Sequence, residues 1–318
     1  DSSELRKVLL RLLNPNPELR YQSAAHVLQD VADYCGEPLT VETHVTRGYL
    51  LQQTPLIGRE PELLHLEQML AAAQAGCGAF AVVYGESGIG KSRLVEELRC
   101  HALVSNFLVV HAQAQSEGAY PLHLWREPLR ALCVYSVVDD ETEKTLRTQL
   151  PDLEQLLGRP LISTSPVEPI GTPHRLASAT VTLIERVTRP LLLILEDLHL
   201  ADPASLELLH ILTERLAQRS TLIVGTYRCV DSVSGSSQFP SAQLLHLRPL
   251  QRPAQEALTA ALIGTAAKRA ALRELIYQDA GGHPLFAKEV RRELLTLFGS
   301  VENLMRASLP SRVSSGGI

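Results

Sequence analysis

A glycine-rich run near residue 90 is the stretch of this sequence whose chemistry is easiest to infer. It follows the pattern GxxxxGK[ST] and reads Gly85-Glu86-Ser87-Gly88-Ile89-Gly90-Lys91-Ser92. Glycines let a backbone curl until successive N–H groups point inward at an anion. A lysine ammonium beside such a loop can reach the outer phosphates of a nucleotide, and a serine hydroxyl can bind Mg²⁺. The run therefore predicts a phosphate-binding loop (a Walker A motif) for ATP or ADP with Mg²⁺.

The flanking sequence supports this prediction. The apolar stretch Ala79 to Tyr84 precedes the run, and the helical stretch Leu94 to Leu103 follows it. A phosphate-binding loop lies between a strand and a helix, and the positive N-terminal end of the helix lies beneath the phosphates. A glycine turn with a chance Lys-Ser pair is the alternative, and this context makes it the weaker one. We include all eight residues and the next, Arg93, among the nucleotide-binding candidates.

An acidic pair, Glu196 and Asp197, ends the apolar run Leu191 to Leu195. Side chains at the end of such a strand emerge at the carboxyl edge of a parallel sheet, where ligands bind. One acid would hold Mg²⁺ through water, and its neighbour would orient or deprotonate the attacking water. ATPases with this arrangement usually place Asp first, so the division of labour stays open. We assign Mg²⁺ to Glu196 together with Ser92, and the water to Asp197; a solvated strand end is the alternative.

Thr226 ends another strand-like stretch, and Arg228 stands just after it. A polar residue such as Thr226 at this place can contact the γ-phosphate, and an arginine can register whether that phosphate is present. Arg228 therefore joins Lys91, Glu196 and Asp197 as a candidate catalytic residue. On spacing alone, an arginine on an ordinary loop at a strand end explains Arg228 equally well.

Apolar runs alternate with helical stretches over the middle of the chain. The strand-like runs are Ala79 to Tyr84, Phe107 to His111, Leu191 to Leu195, Thr221 to Thr226 and, more weakly, Leu244 to Leu247. The helical stretches are Pro61 to Ala75, Leu94 to Leu103, Arg175 to Val187 and Ala204 to Ala217. Continuous apolar strands between helices predict an α/β fold, a parallel five-stranded sheet covered on both faces. Residues 137–173 lack periodicity and predict an insertion, and the helical patterns after residue 253 predict a small all-helical lid.

Several conspicuous residues have structural explanations. Asp202 fits the N-cap of the following helix and Pro203 its first position. Trp125 and Tyr120 are expected in the core. We expect His199, close to the acidic pair, to serve packing.

The N-terminal segment differs from the rest. Residues 1–36 predict two short helices on either side of the break Asn14-Pro15-Asn16-Pro17. Such a segment is too small to bury its apolar faces alone and must pack on something else. Residues 37–54 have no clear period and predict a linker.

Composition excludes some classes of function. The net charge is −5, and acidic and basic residues are interspersed. The sequence contains no dense Lys/Arg block that would neutralise a phosphate backbone, which makes nucleic acid a weak candidate partner. The five cysteines are far apart and lack metal-ligand spacing, which indicates reduced thiols. The longest aliphatic run, Leu191 to Leu195, is far shorter than the roughly 20 residues of a membrane span. The sequence before the first predicted helix does not resemble a signal peptide. We therefore expect a cytoplasmic protein that does not bind a membrane.

Taken in order, the motifs resemble a known family. They are Leu56-Ile57-Gly58-Arg59-Glu60-Pro61-Glu62-Leu63, the phosphate-binding loop, Leu195-Glu196-Asp197-Leu198-His199-Leu200-Ala201-Asp202, Gly225-Thr226-Tyr227-Arg228 and Gly281-Gly282-His283-Pro284-Leu285-Phe286. This order resembles the bacterial STAND-type signalling ATPases, close to the origin-recognition-like AAA ATPase domain of large multidomain regulators. The resemblance covers about residues 54–300.

The resemblance implies further roles. Gly58 and Arg59 would lie against the adenine and ribose, and Pro284 would close over the nucleotide from the helical lid. The chain departs from the family pattern at two positions: His283 stands where relatives usually have Asn, and Leu200 where they commonly have Trp.

The N-terminal run Asn16-Pro17-Glu18-Leu19-Arg20-Tyr21-Gln22-Ser23-Ala24 resembles the end of a serine/threonine protein kinase C-lobe. The chain has no glycine-rich kinase loop, no HRD and no DFG, so it cannot itself phosphorylate protein. The resemblance implies a fragment or truncated product of a kinase–ATPase fusion. We predict a kinase remnant over 1–36, a linker over 37–54, an ATPase core over 55–252, a helical lid over 253–308 and a tail over 309–318.

The leading functional hypothesis is a nucleotide-operated signalling switch with slow ATP hydrolysis. Two alternatives stay open: a module that holds ATP or ADP without turnover, and a scaffold whose work is protein contact. The expected partners are ATP and proteins of a signalling pathway, and self-association that depends on the nucleotide is a further hypothesis.

Overall fold

The computed structural model describes residues 56–115, 121–161, 173–228, 238–263 and 270–298, and the separate residues 8, 11, 12, 21 and 27. In the N-terminal unit, residues 1–53, the guanidinium carbon of Arg11 lies 4.4 Å from the centre of the Tyr21 ring. Apart from those positions, the predicted N-terminal helices, kinase-like ending and linker lie outside the described residues. Tyr120 and the tail over 309–318 lie outside them as well.

The second unit, residues 54–318, alternates strands with helices. In its described part the strands are β1 (Ala79–Gly85), β2 (Leu108–Gln113), β3 (Leu191–Glu196), β4 (Thr221–Arg228) and β5 (Gln243–His246). The helices are α1 (Glu60–Gln74), α2 (Lys91–Val104), α3 (Arg126–Tyr135), α4 (Asp140–Leu146), α5 (Leu153–Leu157), α6 (Pro173–Arg186), α7 (Pro203–Arg215), α8 (Arg252–Ile263), α9 (Ala270–Ala280) and α10 (Pro284–Phe298). Single 3₁₀ turns occur at His123–Trp125 and Leu198–Leu200.

The strands form one sheet in the order β2-β3-β4-β1-β5, and every pairing in it is parallel. Parallel neighbours need crossover connections, and the helices between strands supply them. The prediction of a parallel five-stranded sheet flanked by helices is therefore confirmed.

Successive residues of each strand enter two different cores, because side chains alternate between the faces of a sheet. In β3, Leu191 and Leu193 join a core with α3, α6 and α7, whereas Leu192 and Ile194 join one with α1 and α2. All four are at most 2% exposed. Burying each such side chain stabilises the fold by about 1.5–3 kcal/mol. The continuous apolar strands in the sequence are explained by these two covered faces.

Two strands extend two residues beyond the ends that the sequence predicts. β2 continues past His111 to Gln113, and Gln113 pairs in register with Glu196. β4 continues past Thr226, so Arg228 is the last residue of the strand, paired with Gly85, and does not follow it. Polar residues at a strand end carry no hydrophobic signal, which is why periodicity places both boundaries too early.

Two further structural predictions, the cap at Asp202 and the buried Trp125, are confirmed. Asp202 caps α7 by accepting a hydrogen bond from the Ser205 N–H at 3.0 Å, with Pro203 at the first helical position. Trp125 is fully buried and donates to the Ser205 carbonyl at 3.0 Å.

The stretch predicted as an insertion contains the short helices α4 and α5. After β5 only α8, α9 and α10 are described, with a small core of their own that includes Leu272, Ile276 and Val290. We refer to these three helices as the lid. No helix among the described residues is long and apolar enough to cross a membrane.

Candidate functional site

The glycine-rich run forms a tight loop between β1 and α2. Gly88 and Gly90 have φ angles of 76° and 105°, in the left-handed region that favours glycine. Gly90 is the residue before α2, so the N-terminal end of that helix opens directly behind the loop. Ser87 and Glu86 are exposed, whereas the Ile89 side chain is wholly buried. Ile89 can therefore offer only its backbone to a ligand.

Lys91 extends back along this loop. Its ammonium donates to the carbonyls of Gly85 at 2.9 Å and Glu86 at 2.7 Å, and the residue is 7% exposed. Burial lowers the pKa of Lys91, the positive charge of Arg228 lowers it further, and the Asp197 carboxylate raises it in part. A poorly solvated cation between two carbonyls is a strong potential partner for an anion.

Ser92 and Glu196 meet at the carboxyl edge of the sheet. The Ser92 hydroxyl donates to Glu196 Oε2 at 2.6 Å, and His111 Nε2 lies 2.9 Å from Glu196 Oε1. The hydrogen bond with His111, assisted by that from Ser92, holds the pKa of Glu196 below its ordinary value, while burial opposes the shift. A hydroxyl and an ionised carboxylate this close are hard oxygen ligands, the donor type that Mg²⁺ prefers. The two residues therefore fit that ion.

Asp197 occupies a strained turn directly after β3. Its φ and ψ are 57° and 43°, a left-handed conformation that is uncommon for a residue other than glycine and costs of order 1–3 kcal/mol. Its N–H donates to Thr226 Oγ1 at 2.9 Å, and the Gln113 side-chain amide donates to its Oδ2 at 2.8 Å. Gly225 makes the turn fit, because a Cβ there would lie 2.4 Å from Leu198 Cδ1.

Two more side chains approach the same carboxylate. Arg228 Nε lies 3.7 Å from Asp197 Oδ1, with its side chain about half exposed. His199 Nδ1 lies 3.9 Å from the same oxygen, and its ring meets the Tyr227 ring edge-on at 5.9 Å. Burial lowers the pKa of His199. Asp197 therefore lies among donors and cations, whereas the Thr226 hydroxyl is buried at 1% exposure.

The lid contacts the phosphate-binding loop directly. The Leu285 N–H donates to the Gly88 carbonyl at 3.3 Å, and a Cβ on Gly88 would lie only 2.8 Å from Leu285. A Cβ on Gly90 would lie 4.0 Å from Pro284, the first residue of α10. His283 Nε2 lies 3.2 Å from Glu86 Oε2. The sequence-predicted residues of loop and lid thus come together.

Three other predicted binding residues lie around this loop. Gly58, with a φ of 71°, packs so closely on α8 that a Cβ would meet the Ala254 Cβ at 2.4 Å. Arg59 is 5% exposed, and its guanidinium donates to the carbonyls of Ile89 and Arg248. Arg93, on the first turn of α2, donates to Glu97 Oε2 at 2.6 Å.

Sequence reasoning missed two residues of the site, His111 and Gln113. Each contacts one carboxylate of the acidic pair from the neighbouring strand β2. The alternation of polar and apolar residues at the end of β2 could have indicated them, because β2 and β3 end at the same edge. Leu285 belongs to the motif from Gly281 to Phe286, but nothing in its residue type predicts a contact with Gly88.

A parallel sheet with a glycine-rich loop and an acidic pair at its carboxyl edge defines the P-loop fold of AAA-type proteins. The sequence profile of the AAA ATPase domain family matches residues 55–224, more than half of the chain. The chain therefore belongs to the AAA ATPase domain family. Membership implies the use of a nucleotide and typically of Mg²⁺.

Solved structures of several AAA proteins are similar to this chain. A RuvB mutant of Thermotoga maritima has 14% identity and a TM-score of 0.44, with 79% of this chain and 68% of that chain covered. ORC1 of Aeropyrum pernix in complex with DNA has 18% identity and a TM-score of 0.44, covering 84% and 66%. A chain of the E. coli MS115-1 HORMA:CdnC:Trip13 complex has 11% identity and a TM-score of 0.49, with 83% of this chain and 90% of that chain covered. No curated protein matches the chain significantly.

We predict that Gly88→Ala destabilises the second unit more than Gly158→Ala does. Both glycines have positive φ, but a Cβ on Gly158 meets nothing within 4 Å. Gly158→Ala should lower the free energy of unfolding by only about 1–2 kcal/mol, the cost of placing a side chain on a left-handed backbone. Gly88→Ala should add about 1–3 kcal/mol from the forced contact with Leu285. Urea unfolding of both variants measures the difference, and equal losses would show that α10 does not pack on the loop.

Proposed function

We propose that this chain is a nucleotide-operated switch that binds ATP with Mg²⁺ between the sheet edge and the lid and hydrolyses it slowly. The observation that carries the proposal is the junction of the loop with the acidic pair. Lys91, Ser92 and Glu196 lie together there, with the Ser92 hydroxyl 2.6 Å from the Glu196 carboxylate. A cation, loop amides and oxygen ligands at one edge are the groups that phosphoryl transfer requires.

Lys91 would bind the outer phosphates. Its ammonium now donates to two neutral carbonyls of the loop. A phosphate oxygen carries negative charge whereas a carbonyl oxygen carries none, so Coulomb attraction favours the exchange of these carbonyls for phosphate oxygens. Ser92 and Glu196 would hold Mg²⁺, which would supply positive charge to neutralise the phosphates.

Asp197 would orient and deprotonate the attacking water. The water oxygen would bond to the γ-phosphorus as the bond to the ADP oxygen breaks, and the water proton would pass to the Asp197 carboxylate. Gln113 and Thr226 fix the side chain and backbone of Asp197, respectively. Arg228, 3.7 Å from that carboxylate, would stabilise charge on the γ-phosphate. We assign Thr226 a supporting role, because its hydroxyl is buried and accepts from Asp197.

The part of the pocket that surrounds the adenine and ribose would be formed by the segment around Gly58, and Pro284 would close over the nucleotide. Both adjoin lid helices: Gly58 packs on α8, and Pro284 begins α10. A lid that closes on ATP and opens after hydrolysis would make differential contacts with the γ-phosphate, as a ligand-driven switch requires.

The cellular role in this proposal is signalling. It rests on the resemblance to STAND-type ATPases and to a kinase ending, which favours an origin in a kinase–ATPase fusion acting in the cytoplasm. The partners would be other proteins of the pathway, and the nucleotide would govern self-association. The proposal includes the predicted domains: a kinase remnant over 1–36, a linker over 37–54, an ATPase core over 55–252, a helical lid over 253–308 and a tail over 309–318.

A non-hydrolysing nucleotide-binding module is the second candidate. Two observations favour it: Glu precedes Asp in the acidic pair, and the Gln113 amide already donates to the Asp197 carboxylate. The Asp197 oxygen that accepts from Gln113 is thereby occupied in part, which leaves it less free to accept from an attacking water.

We predict that Lys91→Ala abolishes ATP binding without unfolding the chain. The substitution removes the ammonium but no core side chain, so circular dichroism should remain that of the wild type. Lys144→Ala, which changes an exposed lysine on α4, is the matched control and should bind ATP normally. Fluorescence titration with an ATP analogue measures both. Undiminished affinity in folded Lys91→Ala would refute the role of this residue.

We predict that Asp197→Ala lowers phosphate release from ATP by about 10²-fold or more, the usual range for loss of a general base. ATP affinity should change little, because Asp197 is assigned to the water. Asp140→Ala, on the exposed first turn of α4, controls for loss of a surface carboxylate. Phosphate release is followed at saturating ATP with Mg²⁺. Equal rates in wild type and Asp197→Ala would remove this assignment, and a wild type without turnover would favour the non-hydrolysing module.

A further inference from the structure

Arg59 carries a buried guanidinium that contacts two main-chain carbonyls and one carboxylate. Its Nη2 lies 3.1 Å from the Ile89 carbonyl and 2.7 Å from the Arg248 carbonyl, and its Nη1 lies 3.4 Å from Glu62 Oε1. The side chain is 6% exposed. Burying a charge is expensive unless its donors are satisfied. The chain therefore maintains a costly cation between the phosphate-binding loop and the segment that leads to the lid.

The second carbonyl belongs to a route into the lid. Arg248 lies between β5 and α8, and two residues later the Leu250 N–H donates to the Gly282 carbonyl at 2.8 Å. Gly282 fits against this segment without space for a side chain, because a Cβ would lie 2.7 Å from the Leu250 oxygen. Gly282 belongs to the turn that precedes α10. Arg59 is thus linked to the lid through one short segment.

The lid contacts the loop at Gly88, the residue before the one that Arg59 contacts. Leu285 donates its N–H to the Gly88 carbonyl, and Arg59 donates to the next carbonyl, that of Ile89. The contacts form a closed circuit: loop, Arg59, the segment from Arg248 to Leu250, the turn at Gly282, α10 and the loop again.

Because of peptide geometry, the two contacts that hold loop carbonyls also fix the directions of two loop N–H groups. A trans peptide is planar, so its C=O and N–H point in opposite directions. Holding the Gly88 carbonyl on Leu285 therefore fixes the Ile89 N–H, and holding the Ile89 carbonyl on Arg59 fixes the Gly90 N–H. Inward-facing N–H groups of such a loop are what bind phosphate. The lid and Arg59 consequently set the direction of two consecutive amides.

We propose that Arg59 is a positioning residue that couples the phosphate-binding loop to the lid by holding the carbonyls of Ile89 and Arg248. This inference rests on the proposed function. It assigns the Arg59 side chain a role different from the contact with adenine and ribose that the family resemblance implies. Because coupling between sites is reciprocal, phosphates that orient the loop also favour the docked lid.

The test compares Arg59→Met and Arg59→Lys with wild type and with Arg219→Met. Methionine has a similar length without donors, and lysine restores the charge without the planar fork. Arg219, about half exposed and paired with Glu185, is the matched control away from the loop. Two quantities are measured: hydrogen exchange of the α9 amides with and without Mg·ATP, and the affinities for ATP and GTP by competition with a fluorescent nucleotide.

We expect Mg·ATP to slow exchange in α9 of the wild type and of Arg219→Met. In Arg59→Met this protection should be lost, and ATP and GTP should both bind about 5- to 50-fold more weakly, within the usual range of coupling. The ratio of the two affinities should stay that of the wild type, because no contact with the base is removed. Arg59→Lys should recover part of the protection; it carries the test if Arg59→Met does not fold.

Three distinguishable outcomes would overturn the inference. Normal α9 protection in folded Arg59→Met, or in Arg59→Lys if only that variant folds, would show that the guanidinium does not couple loop and lid. A changed ratio of ATP to GTP affinity would assign Arg59 to the base instead. If the wild type shows no protection of α9 by Mg·ATP, the proposed switch itself fails, and this inference falls with it.

Discussion

Parallel strands all end at the same edge of a sheet, and this constraint assembles the site. β1 ends at the glycine-rich loop, β3 at the acidic pair, and β2 and β4 on either side of β3. Residues far apart in sequence, such as Ser92 and Glu196, are thereby brought within hydrogen-bond distance. The two hydrophobic cores stabilise this order of strands, since each strand contributes side chains to both faces. Chemistry at the edge therefore depends on packing throughout the sheet.

The sequence predicts the parts of this architecture that are encoded locally. The loop pattern, the continuous apolar strands and the cap at Asp202 each reflect interactions within a few residues, and the sheet, the loop's position and the cap agree with prediction. Contacts set by the register between strands are different in kind. Gln113 contacts Asp197 only because β2 extends two residues beyond its apolar run and aligns with β3.

The lid shows the same division between local and tertiary information. Helical periodicity after residue 253 predicts its helices, and α8, α9 and α10 are present. No local pattern indicates that the Leu285 amide meets the Gly88 carbonyl or that Arg59 faces the carbonyls of Ile89 and Arg248. These contacts depend on how the lid packs on the loop. In the proposed function these contacts direct the loop's peptide groups, and the lid would then form part of the nucleotide-binding site as well as its cover.

The central claim is that loop amides and the Lys91 ammonium form a site for the phosphates of a nucleotide. Calorimetric titration of the folded wild-type chain with ATP, in Mg²⁺ and again in excess chelator, tests it most directly. We predict saturable binding of one nucleotide per chain that weakens when Mg²⁺ is removed, because Ser92 and Glu196 lie beside the phosphate site. Folded protein that takes up no ATP at millimolar concentration would contradict the account.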